Sequence, residues 1–125
     1  MKILKFGGSS VANAENISKV IQIISKSLNE SRGLIVVVSA LGGVTDNLIK
    51  IASLASAHDD EYKKLLDLLV SQHNEAIKKL IDSKARKTAL QEAQTKYVEL
   101  SEALQGIYLL GELSTRALDK IMSFG

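Results

Sequence analysis

The stretch that decides the fold lies close to the start of the chain and reads Lys5-Phe6-Gly7-Gly8-Ser9-Ser10-Val11. It continues the apolar run Ile3-Leu4, and the alternation of side chains predicts a strand with Ile3 and Lys5 on one face. The glycine pair lets the backbone turn sharply and approach a ligand closely, because no Cβ is in the way. A strand, a lysine, glycines, hydroxyls and a helix start, in this order, are typical of a phosphate-binding loop. The alternative is an ordinary strand-to-helix turn in which Lys5 simply reaches solvent.

A second loop of the same kind follows the next strand. Asn13 is predicted to cap a helix over residues 14–29, and the β-branched run 34–38 predicts a strand buried on both faces. This strand leads into Ser39-Ala40-Leu41-Gly42-Gly43-Val44-Thr45-Asp46, where Thr45 or Asp46 is expected to cap a helix to about residue 57. A strand–helix–strand unit predicts parallel strands. Both glycine loops are therefore expected side by side at the carboxyl edge of the sheet, where open α/β sheets bind ligands.

The rest of the chain is helical in pattern. Apolar stripes span residues 62–80 and 90–108, and a turn at 82–84 between them predicts a long antiparallel helical hairpin. A final short helix is expected to begin near Ser114. We therefore predict a βαβα unit over 1–58, the hairpin over 59–110 and a short helical segment over 111–125.

Composition narrows the class of protein. The 125 residues suffice for one domain, and a net charge of +2 without a block of like charges gives no basis for binding nucleic acid or an anionic membrane. The absence of cysteine excludes disulfides and thiolate metal sites. No signal-peptide pattern opens the chain and no apolar run reaches membrane-spanning length, so we expect a cytoplasmic protein.

Other candidate residues have simpler structural interpretations. His58 and His73 lack partners at metal-ligand spacing, so we predict packing or capping roles and no metal site. The acidic run Asp59-Asp60-Glu61 is favourable ahead of a helix because of the helix dipole. Three tyrosines fall on the helical stripes and are predicted in the core or an interface: Tyr62, Tyr97 and Tyr108. In the first loop the lysine precedes the glycines, which disfavours a P-loop NTPase.

The two glycine loops resemble the first two motifs of aspartokinases, members of the amino-acid kinase family. Residues 5–11 resemble the opening motif, with Ser9 in place of the commoner threonine, and residues 38–48 resemble the second motif. The helical hairpin is similar to the one that aspartokinases insert at this point. Residues 110–125 further resemble bifunctional aspartokinase–homoserine dehydrogenases. The resemblance implies the three-layer α/β, carbamate kinase-like fold, here only its N-terminal part: two parallel strands with helices plus the hairpin.

The resemblance also implies an activity. Aspartokinases transfer the γ-phosphoryl group of ATP to the side-chain carboxylate of L-aspartate, which is the first step toward lysine, threonine and methionine. Lys5 would be the catalytic residue, stabilising charge on the transferring group. The residues expected to bind phosphate are Lys5, Gly7, Gly8, Ser9 and Ser10. The residues expected to bind aspartate are Ser39, Gly42, Gly43 and Thr45. Mg²⁺ is expected with ATP, but no metal ligand is identified in this sequence.

The end of the chain departs from the family pattern. Gly111-Glu112-Leu113-Ser114 imitates a family motif whose glutamate binds the aspartate amino group. In the bifunctional enzymes a similar segment precedes the functional pair by one helix, so Glu112 is interpreted as a helix-start carboxylate. The substrate glutamate is expected just beyond Gly125. Segments that hold adenine, ribose and magnesium are missing. We therefore expect an N-terminal fragment of a larger enzyme, inactive by itself and homo-oligomeric.

The sequence leaves two alternatives open. The chain could belong to another amino-acid kinase, acting on acetylglutamate, glutamate or a nucleoside monophosphate; Ser39, Thr45 and the hairpin argue against this. It could also be a non-catalytic assembly module whose hairpin mediates subunit contacts.

Overall fold

The computed structural model describes residues 1–125 and has two strands and five helices. In chain order the elements are β1 (Lys2–Phe6), α1 (Ala14–Glu30), β2 (Leu34–Val38), α2 (Val44–Ser56), α3 (Glu61–Leu80), α4 (Ser83–Leu110) and α5 (Thr115–Met122). The α/β class is therefore confirmed. Spatial contacts divide the chain into two compact units, residues 1–43 and 44–125.

The first unit is a strand–helix–strand arrangement. The two strands pair in parallel, as predicted, with Lys5 opposite Val37. The cap of α1 is also confirmed, because the Asn13 side chain accepts a hydrogen bond from the backbone N–H of Asn16. The Lys2 Nζ atom donates to Ser27 Oγ of α1 at 3.3 Å. Since alternate residues of a strand share a face, α1 lies on the even-numbered face of β1.

The prediction that β2 is buried on both faces is wrong. Residues 35–38 are all exposed, from 37% for Val36 to 61% for Val38. On the face of β1 that α1 does not cover, Ile3 is 62% exposed. The physical reason is that one helix covers only part of one face of a two-stranded sheet. The β-branched run correctly indicated a strand, but burial on both faces requires covering elements that this unit does not contain.

The second unit is helical and contains the hairpin. Helices α3 and α4 run antiparallel, as predicted: Tyr97 donates its hydroxyl to Asn74 Oδ1 at 3.0 Å, and the rings of Tyr62 and Tyr108 lie 5.5 Å apart. Helix α2 packs against α3, α4 and α5, so by contacts it groups with the later helices rather than with the strands that precede it. The most completely buried side chains of this unit are Val44, Leu48, Ile51, Leu100, Leu104 and Ile121.

Two predicted helix starts need correction. Helix α2 begins at Val44, so Thr45 and Asp46 lie in its first turn and neither caps it. Burial of Val44 in the core favours its inclusion in the helix. The turn between α3 and α4 is shorter than residues 82–84, because Asp82 caps α4 and its carboxylate accepts from two backbone N–H groups. The predicted final helix is confirmed, with Ser114 as its cap.

None of the five helices combines the length and the apolar character that crossing a lipid bilayer requires.

Candidate phosphate and substrate site

Two glycine loops meet at one edge of the parallel sheet. The first loop, residues 7–11, follows β1, and the second loop, residues 39–43, follows β2; Phe6 and Val38, which end the strands, are paired. A Cβ atom placed on Gly8 would lie 3.9 Å from Ser39 Oγ and 3.9 Å from the carbonyl oxygen of Ala40. The loops are therefore neighbours at the carboxyl edge, as the sequence predicted.

The first loop is a tight turn held onto α1. The Gly7 carbonyl oxygen accepts hydrogen bonds from the N–H groups of Ser10 at 3.0 Å and Val11 at 3.3 Å. The Asn16 side chain, in the first turn of α1, donates to the Ser9 carbonyl oxygen at 3.1 Å. Sequence reasoning missed this contact, whose only signal is an amide side chain in the first helical turn. It fixes the loop relative to the helix.

The first loop offers several donors to a ligand. The N–H groups of Gly8 and Ser9, and the hydroxyls of Ser9 and Ser10, make no hydrogen bond within the protein. The Lys5 side chain is exposed and has no carboxylate partner. Its ammonium is therefore hydrated, and the strand bears no cost for burying a charge. Backbone N–H groups, hydroxyls and an ammonium in so short a segment suit a phosphate group.

The second loop depends on its glycines. The Gly42 N–H group donates to the Ala12 carbonyl oxygen at 3.3 Å. A Cβ atom on Gly42 would lie 2.9 Å from Ala12 Cβ and 3.1 Å from Ala12 Cα, so no larger residue fits without a backbone shift. Gly43 adopts a φ of 76°, in the left-handed region that favours glycine. Ser39 is exposed, and its hydroxyl makes no hydrogen bond within the protein.

The remaining candidates lie in the helical unit. Thr45 is the second residue of α2, and its side chain is exposed. Glu112 is exposed two residues before the Ser114 cap, as expected for a helix-start carboxylate. His73 Nδ1 lies 2.8 Å from the Leu69 carbonyl oxygen, and the His58 ring packs edge-on against a tyrosine. No group of three or more histidine, aspartate or glutamate side chains could hold a metal ion.

The side chains whose pKa values are shifted lie outside the two loops. The hydrogen bond and the charge of Lys63, 2.9 Å away, hold the pKa of Asp60 below its usual value, and the same pair raises the pKa of Lys63. Burial raises the pKa of Tyr97. Asp59 accepts a hydrogen bond from the Glu61 N–H at the start of α3. These shifts therefore arise from helix ends and packing in the hairpin.

Fold and loops together define an α/β protein with two neighbouring glycine loops at the carboxyl edge of parallel strands, the edge at which such sheets bind ligands. The sequence model of the amino acid kinase family matches residues 1–125, and the chain belongs to this family.

Within this family, the chain is similar to proteins named as aspartokinases. The chain is 34% identical to aspartokinase 1 of Arabidopsis thaliana, over 98% of this chain and 21% of that protein. It is 30% identical to a bifunctional aspartokinase/homoserine dehydrogenase of Daucus carota, over 98% of this chain and 13% of that protein. Both relatives are named as chloroplastic. The crystal structure of E. coli aspartokinase III in complex with aspartate and ADP has a TM-score of 0.80 at 21% identity, covering 100% of this chain and 26% of that one.

These comparisons confirm the family and the fold that the sequence predicted, with the chain matching the N-terminal part of the aspartokinase fold. The chain spans between about an eighth and a quarter of the length of these proteins.

Proposed function

We propose that this chain supplies the phosphate-binding and aspartate-binding loops of an aspartate kinase. The observation that carries the proposal is the contact between the two glycine loops at the carboxyl edge, with Lys5 two residues before the first glycine pair begins. The names of the relatives, and the aspartate and ADP bound to aspartokinase III, support this choice of substrates. The reaction would give 4-phospho-L-aspartate and ADP, at the start of the route to lysine, threonine and methionine.

The first loop would hold the transferring phosphoryl group. A carboxylate oxygen of aspartate attacks the γ-phosphorus, while the bond from that phosphorus to the β–γ bridging oxygen breaks and ADP leaves. Such a transfer depends chiefly on positioning and charge neutralisation. We assign the charge-stabilising role to Lys5, and the unpaired N–H groups of Gly8 and Ser9 would bind phosphate oxygens. The Ser9 and Ser10 hydroxyls add donors, and Gly7 forms the turn.

The second loop would bind aspartate. The Ser39 hydroxyl is free to donate and lies beside the first loop. Gly42 and Gly43 allow a backbone path that other residues would obstruct. Thr45, in the first turn of α2, presents an exposed hydroxyl and is assigned to the same substrate.

The residues of this chain do not supply a magnesium site. Mg²⁺ prefers carboxylate oxygens and water. The first loop contains no carboxylate, and the second motif contains only Asp46, which is exposed in the first turn of α2. Any magnesium that accompanies ATP would therefore need ligands from ATP, from water or from other segments, and no step here is assigned to it.

The test of the function is a comparison of acceptors. An active kinase that contains this segment should form a hydroxylamine-trappable acyl phosphate with L-aspartate, and not with L-glutamate or N-acetylglutamate. The 125-residue chain alone should give no product and no heat on calorimetric titration with ATP, because its sequence does not contain the family segments that hold adenine and ribose. Faster turnover with glutamate or acetylglutamate would refute the assignment to aspartate. A fused dehydrogenase activity, a cytoplasmic location and homo-oligomers belong to the same proposal.

Replacement of Thr45 by valine should weaken aspartate binding selectively. Valine keeps the shape of the side chain and removes the hydroxyl. Loss of a hydrogen bond to a charged group lowers the affinity roughly ten- to a hundredfold. Steady-state kinetics should show a higher KM for aspartate and an unchanged KM for ATP. Thr88→Val, also at an exposed helical threonine, is the matched control and should change neither constant. A raised KM for ATP alone would reverse the assigned roles.

A further inference from the structure

The hairpin of α3 and α4 is covered unevenly along its length. Here residues 72–98 are called the hairpin tip, and residues 61–71 together with 99–110 are called the hairpin base. In the base, the stripe residues Tyr62, Leu66, Leu69, Leu100, Leu104 and Ile107 are buried. In the tip, the corresponding residues are only half-buried: His73, Ala76, Ile77, Leu80, Leu90, Ala93 and Tyr97. The tip therefore lacks the covering that the base receives.

One row of side chains on α4 extends from the tip to the base of the hairpin. Its members recur at a spacing of three or four residues and so share a face: Lys87, Leu90, Gln94, Val98, Ser101 and Gln105. We call this the outer face. A groove of about 430 Å³ lies on it in the tip and is lined by Lys87, Leu90 and Gln94 among others. A second groove of about 480 Å³ lies in the base between α3 and α4, where Asp67, Ser101 and Gln105 line it.

The tip and the base of the hairpin carry net charges of opposite sign. The tip carries six basic and three acidic residues, whereas the base carries four acidic and two basic residues. Near the turn the basic residues are Lys78, Lys79, Lys84, Arg86 and Lys87. The one acidic residue among them, Asp82, is engaged as the cap of α4. The basic end of the outer face thus includes Lys87, and the groove at its acidic end includes Asp67.

We propose that the outer face of the hairpin docks against the same face of a second copy of this chain, in antiparallel orientation. With a rise of 1.5 Å per residue, Lys84 and Lys87 lie within about 6 Å of the turn along the helix axis. Asp67 and Glu102 lie about 20–30 Å from the turn by the same rise. An overlap of about 28 Å then brings the basic end of each copy beside the acidic base of the other.

Symmetry strengthens this arrangement. A two-fold axis near the middle of the overlap repeats every charge pair, because such an interface uses the same patch on both copies. It also covers Leu90, the residue that the stripe of the tip shares with the outer face, and it buries the side chain of Val98, which is 46% exposed. Glutamine and serine on the outer face make the interface polar. Association should therefore be reversible, in the micromolar range and weakened by salt.

The test uses charge reversal in the intact 125-residue chain. The tip variant carries Lys84→Glu and Lys87→Glu, and the base variant carries Asp67→Lys and Glu102→Lys. All four side chains are exposed and none makes a hydrogen bond or ion pair within the chain. In an antiparallel dimer of either variant alone, side chains of like charge would face each other. An equimolar mixture of the two restores opposite charges at both ends.

Sedimentation equilibrium at low salt is the measurement. The wild-type chain should dimerise, each variant should associate at least tenfold more weakly, and the mixture should return to within a few-fold of wild-type affinity. The matched control carries Lys26→Glu and Arg32→Glu, which change the net charge as the tip variant does but lie outside the hairpin. It should dimerise like the wild type. Circular dichroism shows whether each variant is folded.

Three results would overturn the proposal. The first is a wild-type chain that stays monomeric at a hundred micromolar. The second is a tip or base variant that associates as tightly as the wild type, which would place association on another surface. The third is a mixture no stronger than its components, with both variants folded. None of these outcomes depends on kinase activity, so the proposed function is tested separately.

Discussion

Turnover of an active kinase containing this segment should fall by roughly 10²- to 10³-fold when Lys5 is replaced by alanine. Lys5 lies two residues before the first loop in sequence, and no carboxylate of the chain forms an ion pair with its ammonium. Phosphoryl transfer develops charge on the transferring oxygens, and a cation placed beside them stabilises the transition state more than the ground state. The main effect should therefore be on kcat rather than on the KM for aspartate.

The stability of the Lys5→Ala variant should hardly change. The side chain is exposed and makes no hydrogen bond, so the free energy of unfolding should stay within about 0.5 kcal/mol of the wild-type value. Lys2→Ala, on the same strand but with its side chain against α1, is the matched control and should retain turnover. Lys5→Arg should recover part of the loss because it keeps the charge. Turnover near the wild-type rate in Lys5→Ala would refute the phosphate-binding role of the first loop.

Replacement of Gly42 by valine should disrupt the first unit. The new Cβ would lie 2.9 Å from Ala12 Cβ and 3.1 Å from Ala12 Cα, so the backbone of one loop must move. Overpacking of this kind costs about 1–3 kcal/mol. Only two apolar side chains of residues 1–43, Val11 and Val20, are buried, so the unit has little core to absorb the loss. Protection of the β2 amides from hydrogen exchange should fall by about five- to 150-fold.

The control for this variant is Gly7→Ala. A Cβ on Gly7 meets no atom within 4 Å, so the substitution should leave exchange in β2 unchanged. The helical unit should keep its protection in both variants, because its core residues lie after residue 43. Wild-type protection of β2 in Gly42→Val would mean that the close approach of Gly42 to Ala12 is not required.

Local sequence features determined most of the elements. Both strands, the five helices and the hairpin follow from apolar spacing, and the caps Asn13 and Ser114 follow from side chains that accept backbone N–H groups. The approach of the two glycine loops also followed from sequence, because parallel strands end at the same edge. These features depend on residues close together in the chain or on a simple rule of topology.

Only the tertiary structure decided how much of each element is covered. The apolar run 34–38 predicts a buried strand, yet residues 35–38 are exposed because their unit holds a single helix. Helix α2 begins at Val44 and joins the hairpin rather than the sheet, since its apolar side chains pack against α3, α4 and α5. Burial depends on partners distant in the sequence, and an apolar pattern reports the need for a partner without identifying it.

The same distinction holds for the candidate site. The sequence by itself determined the glycines, the hydroxyls and Lys5, because their chemistry is local. The tertiary structure decided that Gly42 has no room for a side chain beside Ala12, and that Asn16 holds the first loop against α1. It also decided that the charges of the hairpin separate along its length, because an antiparallel pair of helices places residues 78–87 together at one end. A folded chain fixes such distances, whereas a sequence fixes only spacing.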